Sequence, residues 1–119
     1  MDVKTAAQGV ETALRGAVPK LRVHTDLGAT VDPPAAVVGP PQLTWTGYGR
    51  GPNLARFLVY VIVAADDRAL ERLWDLVPQV AAALEASEAD ITVTQANPAR
   101  WPAGGVDLPA YEITTEVAL

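Results

Sequence analysis

His24 is the only histidine in this sequence, so any arrangement of nucleophile and neutral-pH base must be built around it. It stands on the polar side of Leu21-Arg22-Val23-His24-Thr25, an alternation that reads as a half-buried strand. A solvated or hydrogen-bonded strand residue is therefore the expectation, not a catalytic base or metal ligand. The chain has no cysteine, which removes thiolate zinc sites, disulfides and a cysteine nucleophile together. Asp66 and Asp67 are adjacent and point two ways; capping of a following helix accounts for them, and acids at calcium-loop spacing are absent. Glu112 and Glu116 fall on one face of a strand, a spacing compatible with a carboxylate pair. Nothing beside them in sequence would shift a pKa, so a solvated strand face is the favoured reading. Gly47-Tyr48-Gly49-Arg50-Gly51 resembles a phosphate cradle only superficially, since it lacks the Gly-Lys-Ser/Thr ending and no helix pattern follows. A surface loop is expected there, with Tyr48 and Arg50 at its tip as residue types enriched at docking surfaces. No catalytic residue, cofactor or metal site is expected.

The three tryptophans divide by context. Trp74 lies on an apolar helical stripe and is expected in the core. Trp45, in a strand, is either core or interface. Trp101 sits in Pro98-Ala99-Arg100-Trp101-Pro102-Ala103-Gly104-Gly105, a turn-rich stretch, and is either an exposed anchor or a pin holding the loop to its own domain.

These residues depend on elements that the pattern makes legible. Asp2 is a plausible N-cap, and Val3, Ala6, Ala7, Val10, Ala13, Leu14 and Ala17 recur at helical spacing, predicting a helix from about Val3 to Ala17. Gly9 weakens it slightly. A loop containing Gly28 should run from Asp26 to Asp32. The short run Ala35-Ala36-Val37-Val38 is fenced by Pro33-Pro34 and Pro40-Pro41; proline cannot donate to a ladder, which favours an edge or terminal position. Gln42 to Thr46 is a further candidate strand, and Thr46 to Asn53 is the most loop-like stretch. Ala55 to Ala65 forms a long strand, apolar on both faces: Phe57, Val59, Val61 and Val63 on one, Leu58, Tyr60 and Ile62 on the other.

Such a strand must be covered on both faces, and the helices suffice for roughly one, so the other face is expected to meet a partner. Asp66 and Asp67 open a second helix whose stripe is Leu70, Leu73, Trp74 and Val77, resuming at Val80, Ala81 and Leu84. Pro78 predicts a kink or break near Val77. Two strands, around Ile91–Thr94 and Tyr111–Val117, follow with a loop between them. The expectation is one α+β domain over residues 1–119, with a mainly antiparallel mixed sheet of four to six strands and two or three helices on one face.

Composition sets outer bounds. Half of the 119 residues are hydrophobic, against disorder, and no run approaches the roughly 18–20 apolar residues of a membrane span. Asp2, Lys4, Gln8 and Glu11 are no secretory signal, so cytosolic synthesis is the default. The net charge of −5 divides into +2 for residues 1–59 (six basic, four acidic) and −7 for residues 60–119 (three basic, ten acidic). An acidic chain is poorly suited to grip nucleic acid, whereas unlike halves suit head-to-tail contact between copies.

The order of the proline-fenced strand, the run Phe57-Leu58-Val59-Tyr60-Val61-Ile62-Val63, Asp66-Asp67-Arg68-Ala69-Leu70-Glu71-Arg72-Leu73 and the final Tyr111-Glu112-Ile113-Thr114-Thr115-Glu116-Val117 resembles the tail terminator (tail-completion) proteins of long-tailed bacteriophages, most closely those from phages of high-GC actinobacteria. The resemblance spans nearly the whole chain. It implies a virion subunit that assembles in the host cytoplasm as a six-membered ring on the head-proximal end of the tail tube. Such a ring stops tube polymerisation and offers a docking surface to the head–tail connector protein. Its neighbours would be copies of itself, the major tail tube protein and the connector, and DNA would pass its lumen without specific binding. Tyr48, Arg50 and Trp101 are then candidate interface residues, and Glu112 and Glu116 candidate acids of the lumen. A head–tail connector subunit shares this size and ring assembly. A ligand-binding regulatory module of α+β type would need a pocket of convergent polar groups, which the sequence does not display.

Overall fold

The computed structural model describes residues 1–26, 31–47 and 49–119. The chain runs α1 (Val3–Ala17), β1 (Arg22–His24), β2 (Ala35–Val38), β3 (Gln42–Thr44), β4 (Leu54–Ile62), α2 (Ala69–Glu85), β5 (Ile91–Ala103) and β6 (Val106–Ala118). The class is α+β, with two helices and one six-stranded, mostly antiparallel sheet. The strand order is β1-β2-β4-β6-β5, and β3 pairs with the first part of β4. Both helices bury their apolar stripes on the same sheet face, against Phe57, Val59, Val61, Ile113 and Val117.

α1 begins where the cap chemistry requires. The Asp2 carboxylate accepts the Thr5 N–H at 2.7 Å, and that bond holds its pKa below the ordinary value. Ala6, Val10 and Leu14 are fully buried. Gly9 is more than a weak helix former, because a Cβ built there would lie 2.6 Å from the Ala89 Cβ, in the turn after α2. Gly9→Ala should therefore destabilise the protein. Its propensity gain of about 1 kcal/mol is outweighed where overpacking costs about 1–3 kcal/mol. Urea unfolding checks this, and Ala89→Gly in the same chain should restore most of the loss. A Gly9→Ala protein as stable as its parent would refute the close approach.

α2 corrects two expectations. Its buried stripe is Ala69, Leu73, Val77, Val80 and Leu84, while Leu70 and Trp74 are exposed, Trp74 at 58 %. Trp74 is thus not core. Leu70 and Trp74 lie one step around the helix from the stripe, and the sheet reaches Leu73 and Val77 first. Nor does Pro78 divide the helix, which continues through it to Glu85. Pro78 is on the solvent side, where the Trp74 carbonyl it deprives can turn to water, and buried residues before and after it hold both halves to the sheet. Asp66 contributes to the start of α2 as expected, accepting the Arg68 N–H at 2.9 Å and pairing with Arg72 at 2.6 Å.

In the sheet, β2 is not an edge strand. It lies between β1, parallel to it, and β4, antiparallel. The prolines stand outside the paired residues 35–38, so they end the strand without costing the ladder a donor. The turn-rich stretch after Asn97 is not a loop either. β5 and β6 are 13 residues each and pair as far as Ala103↔Val106 across Gly104-Gly105, both at positive φ (58° and 90°) as a tight hairpin turn demands. Pro98 and Pro102 are accommodated because β5 is the outer strand and has a side that needs no donors. The expected loop from Asp26 to Asp32 lies largely outside the described residues.

The largest correction concerns the second face of β4. Val37, Ile62 and Ala110 form a small second core on it, with Val31, Tyr60, Ala99, Trp101 and Leu108 packed against them. The chain shelters most of this face itself. A register shift between Val93 and Gln95 makes this possible: before it, odd residues of β5 face the helices, and after it they face the other way. Trp101 is thereby delivered to the face opposite the helices.

Candidate functional site

The surface that collects the predicted residues is the open sheet face, and it grades from apolar to polar along the strands. At the end of β4 the hairpin arm lays Trp101 on Tyr60, ring centroids 5.4 Å apart and tilted by 56°. Trp101 is accordingly half-buried on a strand and pins the arm to its own domain. In the same row as Tyr60 stands its register partner Glu112 of β6, and two rows beyond, Glu116 stands opposite Arg56. The two acids share this face, as their spacing predicted. The Arg56 guanidinium donates to Glu116 Oε1 at 2.9 Å and to Gln42 Oε1 at 3.4 Å. These groups are partly exposed, so the pair contributes little stability but fixes a charged row across three strands.

The Tyr60 phenol is raised above its ordinary pKa of 10.0, first by burial and then by the charge and hydrogen bond of Glu112. In alkali the unfolded chain therefore releases this proton first. The stabilisation is intact below about 10.0 and is lost as pH climbs through the folded value. Tyrosinate absorbance should show a step for Tyr60 above its ordinary value, and Glu112→Gln should move that step down. A Tyr60 step that Glu112→Gln leaves in place would contradict the contact.

The other interface candidates lie elsewhere. Arg50 is exposed on the loop between β3 and β4, whose base is closed by the Asn53 N–H on the Thr44 carbonyl at 2.8 Å. Trp45 opens the same loop and is 55 % exposed, so it is not core. Tyr48 lies outside the described residues. This loop and the Trp101 arm occupy opposite ends of β4, about 26 Å apart from Leu54 to Ile62 at the usual rise per residue. Arg50 and Trp101 therefore do not form one site.

No protein-family model matches the chain, and no curated protein matches it.

Two residues escaped the sequence reading. The Trp74 indole donates to the Tyr111 hydroxyl at 3.0 Å, tying the outer side of α2 to β6. Leu70 and Trp74 repeat at the same four-residue step as Ala69, Leu73 and Val77, so spacing alone did not show which row is buried. Arg56 pairs with a residue 60 positions away, which only strand register discloses. His24, paired in register with Val37, is half-buried, and its Nε2 has no hydrogen-bond partner among the described residues. Among those residues no group of three or more His, Cys, Asp or Glu is placed to hold a metal, and no helix is long and apolar enough to cross a membrane.

Proposed function

We propose that this protein is a structural subunit of a phage tail terminator ring, joining copies of itself at the head-proximal end of the tail tube. The observation that carries the reading is an elongated body of 50 × 29 × 20 Å that presents different interface-type surfaces at opposite ends of one sheet. Trp45 and Arg50 stand on a loop at one end, and the β5–β6 arm, with Val106 59 % exposed at its turn, stands at the other. A cap between a tube below and a connector above needs two unlike ends of this kind. The sheet face bearing Glu112 and Glu116 suits the lumen. Glu112, held there by Tyr60, would repel passing phosphate, while the charge of Glu116 is offset by Arg56.

The deciding experiment is electron microscopy of particles assembled without this protein. Overlong or headless tails are expected, and tails of normal length joined to heads would refute termination. In complemented particles, Glu112→Lys with Glu116→Lys should slow DNA ejection. Unchanged ejection would remove the lumen assignment while leaving termination intact.

A further inference from the structure

The outer side of α2 carries an exposed apolar step with an acidic border. Leu70 and Trp74 are one turn apart and 53 % and 58 % exposed. Helical spacing places Glu71 and Glu85 on the same side, with Asp67 just before the helix, and none of the three has an ion-pair partner among the described residues. Arg68 and Arg72 fall on the opposite flank. Two such surfaces meeting each other would set acid against acid, so a symmetric Trp74-to-Trp74 contact is disfavoured.

The opposite flank of α2 holds a complementary feature. A groove of about 570 Å³ runs between α2 and the end of α1, with Val18, Leu21, Val63 and Leu76 among its apolar walls and Lys20 and Arg72 at its rim. Arg72 is already paired with Asp66, so Lys20 is the groove's available cation, with Asp75 also in the lining. Lys20 has no ion partner among the described residues.

We propose that the Leu70–Trp74 step of one subunit seats in the Lys20-rimmed groove of the next copy, with Glu71 meeting Lys20. Donor and acceptor lie on opposite flanks of one helix, so the contact repeats in one sense around a ring instead of closing a two-fold dimer. This inference rests on the ring reading above and names the surface that would build the ring. The open sheet face then remains free to line the lumen.

The absence of native cysteine makes the test clean. Glu71→Cys and Lys20→Cys proteins, mixed under mild oxidation, should give a disulfide-linked dimer, and neither should do so alone. In sedimentation of the reduced proteins, Trp74→Ala should weaken self-association about tenfold or more, as for a central aromatic anchor. Lys20→Glu should weaken it similarly, and Glu71→Lys combined with Lys20→Glu should recover it. The melting temperatures of the Lys20 and Glu71 variants should stay near wild type, and Trp74→Phe, which loses only the hydrogen bond to Tyr111 and keeps a ring, should associate better than Trp74→Ala. Cross-linking of Glu71→Cys with itself, no mixed dimer, unaltered association in Trp74→Ala, or a wild-type protein that stays monomeric would each overturn the proposal. Tail length in particles lacking the protein tests the parent reading separately, so one can fail while the other stands.

Discussion

Phe57→Ala should cost this protein a large fraction of its folding free energy, about 3–5 kcal/mol, where whole domains have only about 5–15 kcal/mol. Phe57 is the sole phenylalanine and the largest fully buried side chain, 1 % exposed. It stands on the helix-facing side of β4, the strand that pairs with β2, β3 and β6. Its carbonyl accepts the buried Thr115 hydroxyl at 3.1 Å, so the backbone there is fixed and cannot collapse freely into the space left by the ring. That is the situation in which a cavity persists and the penalty lies at the upper end. Phe57→Leu keeps most of the volume and should cost under about 1.5 kcal/mol. Urea midpoints, with the slope checked for constancy, measure both. A Phe57→Ala loss below that of Phe57→Leu would show that the core is not organised around this ring.

How much of this was legible in the sequence follows from the range of the interactions concerned. α1 was readable to its ends because its cap, its stripe and Pro19 beyond it are local signals. β4 was readable because nine apolar residues in a row, Phe57 to Ala65, leave no other element. The central strand's uncovered face was inferred from the same pattern, and there the inference failed. Covering that face depends on a one-residue register shift at Val93–Gln95, 30 residues along the chain, which turns Trp101 towards Tyr60. Neither Pro98 nor Pro102 announces a strand, since their tolerance comes only from lying on the outer edge. The candidate acids Glu112 and Glu116 were placed on one face by period alone, but their partners Tyr60 and Arg56 required the register. Trp74 was misplaced for a smaller reason: the apolar residues of α2 span more of its circumference than the sheet can cover, and only packing decides which remain outside.

Trp101→Ala should release the arm and reopen the second face, and this prediction separates self-sheltering from sheltering by a partner. The ring is half-buried, so the lost burial is worth about 2 kcal/mol. The consequence for surface chemistry is larger than that figure suggests. Val37 and Ile62 are fully buried with Trp101 beside them, and each would gain access to water. Polarity-sensitive dye binding should rise, amide exchange in the second half of β4 should quicken, and the isolated protein should associate more readily at that face. Trp101→Phe keeps a ring on Tyr60 and should lie between the two. If Trp101→Ala instead leaves dye binding and exchange unchanged, the arm is not what covers Ile62. If it abolishes association without exposing the face, Trp101 belongs to an intersubunit contact after all. The first of these results removes the second core as a feature of the lone chain, and the second returns the open sheet face to a neighbouring subunit. With neither result, the same face stays available to the lumen, and contact between copies is left to the flanks of α2.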